Sequence, residues 1–169
     1  MQDIALPVAS DDGTLKEDSY LVRMSNLTVE AAEKLGRPMN VARDYKDMFE
    51  KAGFVDVTIH QFKWPSNIWP RDKKFKEMGR WNFANINEGL EGLTMALFTR
   101  GLGYSQAETR EFCAGARKEI HDVKIHAYWP VSVPASVPFH GTSANYVCLD
   151  MYATERNPKA CEHGVRSGN

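Results

Sequence analysis

Apolar positions in the middle of the chain repeat with the period of a packed α-helix. Between residues 81 and 100 they step by three and four, at Phe83, Ile86, Leu90, Leu93 and Leu97. This spacing draws one stripe along a helix of 3.6 residues per turn. It predicts a long helix over 81–100, preceded by a short helix over 73–79 that Asp72 caps. Gly89 and Gly92 weaken the long helix, so they predict either close packing against another element or a kink.

Further stretches with the same helical period cover 18–35, 41–51 and 106–121. Gly36 and Pro38 end the first of them, and Asn40 is placed to cap the second. Ser105 and Glu108 open the third with the spacing of a capping box, in which each side chain bonds the backbone N–H of the other residue. The pattern thus predicts a chain rich in helices with defined ends.

The clearest strand lies over 54–62, FVDVTIHQF, where Val55, Val57 and Ile59 alternate with polar residues. Alternation of period two, with β-branched residues on one face, is typical of a half-buried strand. A second strand is predicted over 124–131, KIHAYWPV. The first eight residues, MQDIALPV, are interpreted as the end of a strand that runs into a loop.

The pattern becomes irregular after KIHAYWPV. Pro134 and Pro138 each remove a backbone donor, so they are expected to interrupt a central strand. NYVCLDMY, over 145–152, is predicted to form one short strand, and the polar residues after it are predicted to be mobile. The sequence therefore predicts an ordered part over 1–131 and an irregular tail over 132–169.

Three strands separated by helices indicate an α/β half-domain rather than a complete sheet. Such a sheet would leave strand edges uncovered, and uncovered edges pair readily with other chains. The pattern therefore favours either an oligomer joined through those edges or a second polypeptide that completes the sheet.

Composition narrows the classes of function. The chain has 169 residues, a formal net charge of -1 and 25% charged residues, a balance that argues against a nucleic-acid binder with a basic face. No run of about 18 apolar residues is present to span a membrane, and the N-terminus lacks the basic and apolar regions of a secretory signal. Three scattered cysteines favour a reducing, intracellular compartment, either cytoplasm or nucleus.

The residues alone offer no recognisable metal-binding or catalytic set. His121 and His126 lie five apart, which is not a metal-ligand spacing on a helix or a strand. Cys161 and His163 fall in the tail and are too close together to encircle a metal. His60 is interpreted as a solvated histidine rather than a general base. No metal site is predicted, and the catalytic residues stay unassigned.

Blocks of sequence occur in a fixed order between Met1 and Val131: SDDGTLKEDS (10–19), EAAEKLGRPMNVA (30–42), EKAGFVDV (50–57), WP…WPRD…KEMGRWN (64–82), EGLEGLTMALFTRGLGYS (88–105) and KIHAYWPV (124–131). Together they resemble the C-terminal half of the fungal LaeA-like methyltransferases. These are class I proteins, enzymes or regulators of secondary metabolism, that depend on S-adenosylmethionine.

The resemblance implies the last three strands, with flanking helices, of a Rossmann-like, doubly wound sheet. MQDI would end the fifth strand, FVDVTIHQF would be the sixth, and KIHAYWPV would be the last, inserted between them. The implied cofactor is S-adenosylmethionine, but the first strands and the Gly-rich donor-binding loop are absent from this sequence. The only Gly-x-Gly, Gly101-Leu102-Gly103, follows a helix and serves to end it. No cofactor-binding residue is therefore predicted, and this chain is not expected to hold the donor.

The resemblance also suggests where a methyl acceptor would bind. The candidates for that pocket are Trp64, Trp69, Trp81, Glu88 and Glu91. Aromatic side chains line small-molecule pockets, although they also fill cores. The alternative for the two glutamates is a solvated helix face or an ion pair with Arg80 or Arg100.

The resemblance stops at Val131, and Val131-Ser132 can be encoded as GTG AGT, a sequence typical of an intron start. One hypothesis is that 132–169 is translated intron or a shifted frame, and that Met1 is an internal start. A spliced transcript that reads through this tail would refute the hypothesis.

Taken together, the sequence favours a methyltransferase-like protein of fungal secondary metabolism, in a truncated form that lacks the donor-binding half and is inactive as an isolated chain. Two alternatives stay open. One is a non-catalytic binding or assembly module that pairs with another chain, and the other is a diverged small-molecule enzyme that reuses the acceptor pocket. The partner, either a small-molecule acceptor or a protein, is not assigned.

Overall fold

A computed structural model describes residues 2–138. Within this range lie three strands, β1 (Asp3–Ile4), β2 (Phe54–Pro65) and β3 (Tyr128–Pro138), and four α-helices, α1 (Tyr20–Lys34), α2 (Tyr45–Lys51), α3 (Lys73–Ala96) and α4 (Gln106–His121). A 3-10 turn (Val41–Arg43) precedes α2, and a π-helical turn (Leu97–Gly101) continues α3. None of the helices in the described range combines the length and the apolar character that crossing a membrane requires.

The strands form one antiparallel sheet in the order β1-β3-β2. β3 pairs with both neighbours, with Ser132 opposite Asp3 and Val131 opposite Phe62. Because β1 and β2 both run antiparallel to β3, they are parallel to each other and their carboxyl ends lie at the same edge. This is the order that the resemblance implied for these strands. Among residues 2–138, the outer edges of β1 and β2 have no strand partner.

β3 continues beyond the point where an irregular tail was expected. It runs to Pro138, and Pro134 lies within it, opposite Ile59 of β2. The expectation of an interruption is wrong for Pro134, and Pro138 is the last residue of the strand in the described range. Pro134 is tolerated because β1 pairs with β3 only as far as Ser132. Beyond that residue one side of β3 has no partner in the described range, and proline is tolerated on such an edge. The boundary predicted after 131 falls inside this strand, while the strand predicted over 145–152 lies outside the described residues.

β2 contains a bulge that changes the alternation predicted for it. Val55 pairs with Val137 and Thr58 with Ala135, so β2 has one extra residue between these pairs. Asp56 absorbs it with a φ of 53°, a conformation that aspartate adopts more readily than most residues. Val57 is buried as predicted, whereas Val55, on the other side of the bulge, is 36% exposed.

α3 is a single helix where two were predicted. It runs without a break through residue 80, and Asp72 Oδ1 caps it by accepting from the backbone N–H of Lys74 at 2.9 Å and of Phe75 at 3.1 Å. The cap is therefore confirmed and the break is wrong. Ile86 and Leu90 of the apolar stripe are buried, but Leu93 is 56% exposed.

Close packing, one of the two alternatives predicted from Gly89 and Gly92, occurs at other glycines. A Cβ on Gly92 would have no atom within 4 Å, and one on Gly89 would meet only Leu93 of the same helix. A Cβ on Gly79, by contrast, would lie 2.0 Å from the backbone oxygen of Asn67, and one on Gly101 would lie 2.8 Å from the backbone oxygen of Ala31. Gly79 and Gly101 are thus the positions at which other elements approach the backbone of α3 and its π-helical turn.

α1 and α4 are joined at their ends by one carboxylate. Glu119 of α4 accepts from the backbone N–H groups of Tyr20 and Leu21, at 2.9 and 2.8 Å, and so satisfies the start of α1. The capping box at the start of α4 is confirmed. Asn40 makes no capping bond to the 3-10 turn that follows it, so that prediction is wrong.

The core lies between the helices and one face of the sheet. Its buried apolar residues come from all the α-helices except α2, from the π-helical turn, from β3 and from the segments next to β1 and β3: Val8, Leu21, Met24, Ile86, Leu90, Phe98, Phe112, Cys113, Ala116, Ile120, Ala127 and Trp129. This core holds the carboxyl edge of β1 and β2 in place, and the polar clusters described next lie along that edge.

Candidate functional site

The loop after β1 folds back onto the start of β3. Ala9 and Tyr128 exchange backbone hydrogen bonds at 3.0 and 2.8 Å, which directs the segment 10–14 along the carboxyl edge of β1 and β2. In open α/β sheets, ligands bind beyond the carboxyl ends of the parallel strands. The side chains of this loop therefore lie where a ligand site is expected from topology.

Asp12 organises this loop. Its Oδ1 accepts from the hydroxyls of Ser10 and Thr14, at 2.8 and 2.7 Å, and from the backbone N–H of Thr14 at 3.1 Å. Its Oδ2 lies 2.5 Å from Nδ1 of His126, just before β3. A carboxylate can only accept, so Nδ1 carries the hydrogen, and in the neutral ring Nε2 is the nitrogen without one.

His126 is held from two further directions. Its ring stacks on Trp69, with centroids 4.9 Å apart and planes inclined by 28°. Its backbone N–H donates to the Thr14 hydroxyl at 2.8 Å, and the Trp69 indole N–H donates to the Ala127 carbonyl at 2.9 Å. The imidazole is thus oriented by a carboxylate and an indole, and 38% of its side chain remains exposed. An oriented imidazole with a free basic nitrogen is chemically able to accept a proton from a bound molecule.

Asp11 forms a second cluster beside the first. It accepts from the Lys63 ammonium at 2.5 Å and from the Tyr128 hydroxyl at 2.7 Å. The hydrogen bond from Lys63, followed by the one from Tyr128, holds the pKa of the Asp11 carboxyl below its ordinary value. Burial and the hydrogen bond to Asp11 raise the pKa of Tyr128. This cluster connects the loop to β2 and β3, and its polar groups form hydrogen bonds with one another.

The hydrogen bonds to Asp12 predict an acid-dependent stability. The Thr14 hydroxyl, followed by the His126 imidazole and the Ser10 hydroxyl, lowers the pKa of Asp12 below its ordinary value of 3.8. A carboxyl whose pKa is lower in the folded state stabilises the fold above its unfolded pKa, and the effect is lost as the pH falls through the folded pKa. The difference in unfolding free energy between wild type and Asp12→Asn is therefore expected to shrink as the pH falls below 3.8.

Denaturant unfolding at a series of acid pH values measures that difference. Asp18→Asn, a change at an exposed carboxyl in the same stretch, is the matched control for the loss of one surface charge. A constant difference between wild type and Asp12→Asn across the acid range would contradict the assignment of these hydrogen bonds to the ionised carboxylate.

A cavity of about 630 Å³ opens at the carboxyl end of β2, on the outer side of α3. Its walls are formed by Trp64 of β2 and by one face of α3, which contributes Lys74, Glu77, Met78, Trp81, Asn82 and Asn85. Trp64 is half-buried, whereas Trp81 is 71% exposed at the mouth. The volume lies within the range of small-molecule sites, about 300–1,000 Å³.

The residues predicted to line one acceptor pocket lie at different places in the structure. Trp64 and Trp81 line this cavity together, but Trp69 lies with His126 instead. Glu91 reaches Arg117 of α4 at 3.6 Å, and Glu88 is exposed and outside the cavity wall. The ion pairs predicted with Arg80 or Arg100 are therefore not the ones that form. Glu91 has Arg117 as its partner, and Arg80 pairs with Glu77 at 3.0 Å.

Asp12 and His126 were missed as functional candidates. Asp12 enters the sequence-based interpretation only within a block of the resemblance, and His126 is considered by itself only as a metal ligand. The two residues are 114 positions apart, and no local periodicity reports such a contact. The one available signal was that both fall in blocks of the resemblance, SDDGTLKEDS and KIHAYWPV.

A second cavity of about 210 Å³ lies beside the open edge of β1. Ile4 and Leu6 form one side, and Leu90 and Leu93 of α3 form the other. Met39, 42% exposed, lies at its border. An apolar cavity at an unpaired strand edge is a surface that another strand or chain can cover.

The described residues do not match a site for the methyl donor. No strand within residues 2–138 leads through a Gly-rich turn into a helix. Gly101 is at the end of a π-helical turn, where it packs on Ala31, and Gly103 has a φ of 77° as the chain leaves that turn. Nor does the described range contain a group of three or more side chains able to hold a metal ion.

Comparison with known proteins identifies related chains. A probable methyltransferase, tdiE, of Emericella nidulans is 36% identical over 133 residues, which are 79% of this chain and 42% of that protein. Methyltransferase pytC of Aspergillus terreus is 38% identical over 131 residues, 77% of this chain and 40% of that protein. The chain is homologous to the fungal LaeA-like methyltransferases. A protein-methionine methyltransferase, laeA, of Chaetomium globosum is 30% identical over 120 residues, 70% of this chain and 38% of that protein.

The LaeA-like resemblance read from the sequence blocks is therefore confirmed. The chain spans about two fifths of the length of the curated relatives it matches. No protein-family model matches it, and no solved structure does. Further relatives are described as secondary metabolism regulators, among them LAE1 of Cochliobolus heterostrophus, 35% identical over 119 residues.

Proposed function

We propose that this chain forms the acceptor-side part of a Rossmann-like class I methyltransferase domain that acts in fungal secondary metabolism. In this proposal S-adenosylmethionine is held by a segment outside the described residues. The observation that carries the proposal is the sheet order β1-β3-β2 with an unpaired outer edge on β1. In a doubly wound sheet, the strands that hold the donor would continue from that edge.

The surface beside β1 supports this arrangement. The cavity between Ile4 and Leu93 is apolar and lies where the next strand and its helix would pack. Leu93 and Met39 are 56% and 42% exposed there, which is unfavourable for a surface that stays in water. A segment that adds a strand to β1 would bury both residues.

Co-expression with the complementary part of a relative tests the proposal. The probe is the segment of tdiE that this chain does not match, produced together with the full 169-residue chain. The expected result is a stable complex that binds S-adenosylmethionine in a calorimetric titration, with no binding by the chain alone. Micromolar binding by the chain alone would overturn the proposal, and so would failure of the two parts to associate.

A non-catalytic assembly module is the second candidate, and the same unpaired edges favour it. In this case the chain would associate with copies of itself rather than with a donor-binding segment. Sedimentation of the isolated chain distinguishes the two. A defined dimer that Leu93→Glu converts to monomer, together with no uptake of the tdiE segment, would select the assembly module.

For both candidate functions we propose an intracellular location. Cys113 is buried and free, as is usual where thiols remain reduced. It lies 3.0 Å from the Thr94 hydroxyl, so its sulfur serves the packing of α3 against α4.

A further inference from the structure

The cavity between Trp64 and α3 has a composition that selects for a particular kind of molecule. Trp64 and Trp81 contribute indole rings to its walls, and Met78 contributes a polarisable thioether. Trp81 leaves 71% of its surface in solvent, an unfavourable state for so large an apolar side chain. Aromatic rings stack on exposed indoles with a gain beyond the area they bury.

A polar side chain of the cavity favours a ligand that donates a hydrogen bond. Asn82 is 8% exposed, and its Nδ2 donates to the Pro65 carbonyl at 2.8 Å. This bond fixes the orientation of the amide, and Oδ1 is the atom with which Asn82 can accept a hydrogen bond from a ligand. A ligand that carries a hydroxyl or N–H group would satisfy it.

The charges at the rim do not favour an ionic ligand. Lys74 and Glu77 have opposite signs, and the Glu77 carboxylate already pairs with Arg80 at 3.0 Å. A phosphate or carboxylate would meet no cluster of cations here, in contrast to the sites that recognise such groups. The cavity therefore suits a neutral molecule.

We propose that this cavity binds a neutral, planar aromatic compound that carries a hydroxyl group. The ring stacks on Trp81 against Trp64, and the hydroxyl donates a hydrogen bond to Asn82 Oδ1. The cavity volume of about 630 Å³ accommodates a molecule of two to three fused rings. Its position at the carboxyl end of β2 is the edge at which α/β sheets bind ligands. The proposal does not depend on a methyl donor or on the completion of the sheet.

The four tryptophans of the chain make the test specific. In the 15N-labelled full chain each indole N–H gives its own resonance, and 2-naphthol is the probe. We expect the Trp64 and Trp81 resonances to shift together along one saturating curve. Those of Trp69, which is bonded to Ala127, and Trp129, which is 4% exposed, should stay in place. Absence of a saturable shift, or equal shifts at all four indoles, would overturn the proposal.

Variants test the stacking of the ring on Trp81, and a second probe tests the hydrogen bond to Asn82. Trp81→Ala is expected to weaken 2-naphthol binding by about 2- to 10-fold, the range that corresponds to one aromatic pair. Phe75→Ala removes another exposed ring from the same helix outside the cavity and should leave the affinity unchanged. 2-Methoxynaphthalene, which cannot donate, should bind more weakly than 2-naphthol.

The remaining outcomes also decide the question. Unchanged affinity in Trp81→Ala would remove the stacking role, provided that the other three indole resonances keep their positions and so show an intact fold. Equal affinity for the two naphthalene compounds would remove the role of Asn82. Because none of these measurements involves S-adenosylmethionine, their failure is distinct from failure of the proposed methyltransferase role.

Discussion

Replacing Gly79 with alanine is expected to lower the free energy of unfolding by about 3 kcal/mol or more. The added Cβ would lie 2.0 Å from the backbone oxygen of Asn67 and 2.8 Å from its carbonyl carbon. Those atoms belong to main chain, so no side-chain rotation can relieve the overlap. Either α3 or the loop 66–70 has to move, and both are packed against the end of β2. Denaturant unfolding followed by circular dichroism measures the change.

Gly92→Ala is the matched control on the same helix. Its Cβ would meet no atom within 4 Å, and alanine favours the helix over glycine. This variant is expected to gain about 0.5–1 kcal/mol. If Gly79→Ala were as stable as Gly92→Ala, the close approach of loop 66–70 to α3 would be wrong.

Asn67→Ala is expected to lower the free energy of unfolding by about 2–3 kcal/mol. Asn67 is 2% exposed, and its Nδ2 donates to the carbonyls of Ile120 and Asp122 at 2.9 and 3.2 Å. Its Oδ1 accepts from the backbone N–H of Trp69 at 2.9 Å. Alanine would leave the two carbonyls at the end of α4 and the Trp69 N–H without their partner. Thermal and denaturant unfolding report the loss.

Asn85→Ala provides the corresponding comparison. Asn85 is exposed on α3, where alanine is the better helix former by up to about 0.7 kcal/mol. Its expected effect is zero or slightly stabilising. An Asn67→Ala variant no less stable than Asn85→Ala would show that the loop does not depend on these hydrogen bonds.

The two destabilising changes act on one loop, so their effects should not add. Asn67 provides the side chain that binds α4 and the backbone oxygen that lies against Gly79. A variant with both changes is expected to lose less stability than the sum of the single variants. The same loop carries Trp69 towards His126, so it also orients the imidazole near Asp12.

Local chemistry explains which parts of the fold could be predicted. Asp72 and Ser105 cap their helices through residues two or three positions away, and these bonds are properties of short segments. The continuity of α3 through residue 80 is different, because it depends on loop 66–70 packing over Gly79. The bulge at Asp56 is likewise a property of the pairing of β2 with β3 rather than of β2 alone.

In the candidate site, too, contacts within a short segment could be predicted and contacts between distant segments could not. Trp64 and Trp81 could be predicted to lie together because both belong to one short run of sequence, from the end of β2 into α3. Trp69 belongs to the same run but reaches His126, 57 positions further along the chain. The contact between Asp12 and His126 joins a loop near the start of the chain to the start of β3. A single sequence carries no periodic signal for contacts at such separations.

The position of β3 between its neighbours has a consequence for how the protein is made. During synthesis β1 and β2 leave the ribosome before β3, yet neither can hydrogen-bond to the other, because β3 belongs between them. The helices can pack on one another early, whereas the sheet has to wait until β3 has emerged. Until then 12 residues of β2 remain without a partner. That interval is when a chaperone or a second nascent chain would have most access to this strand.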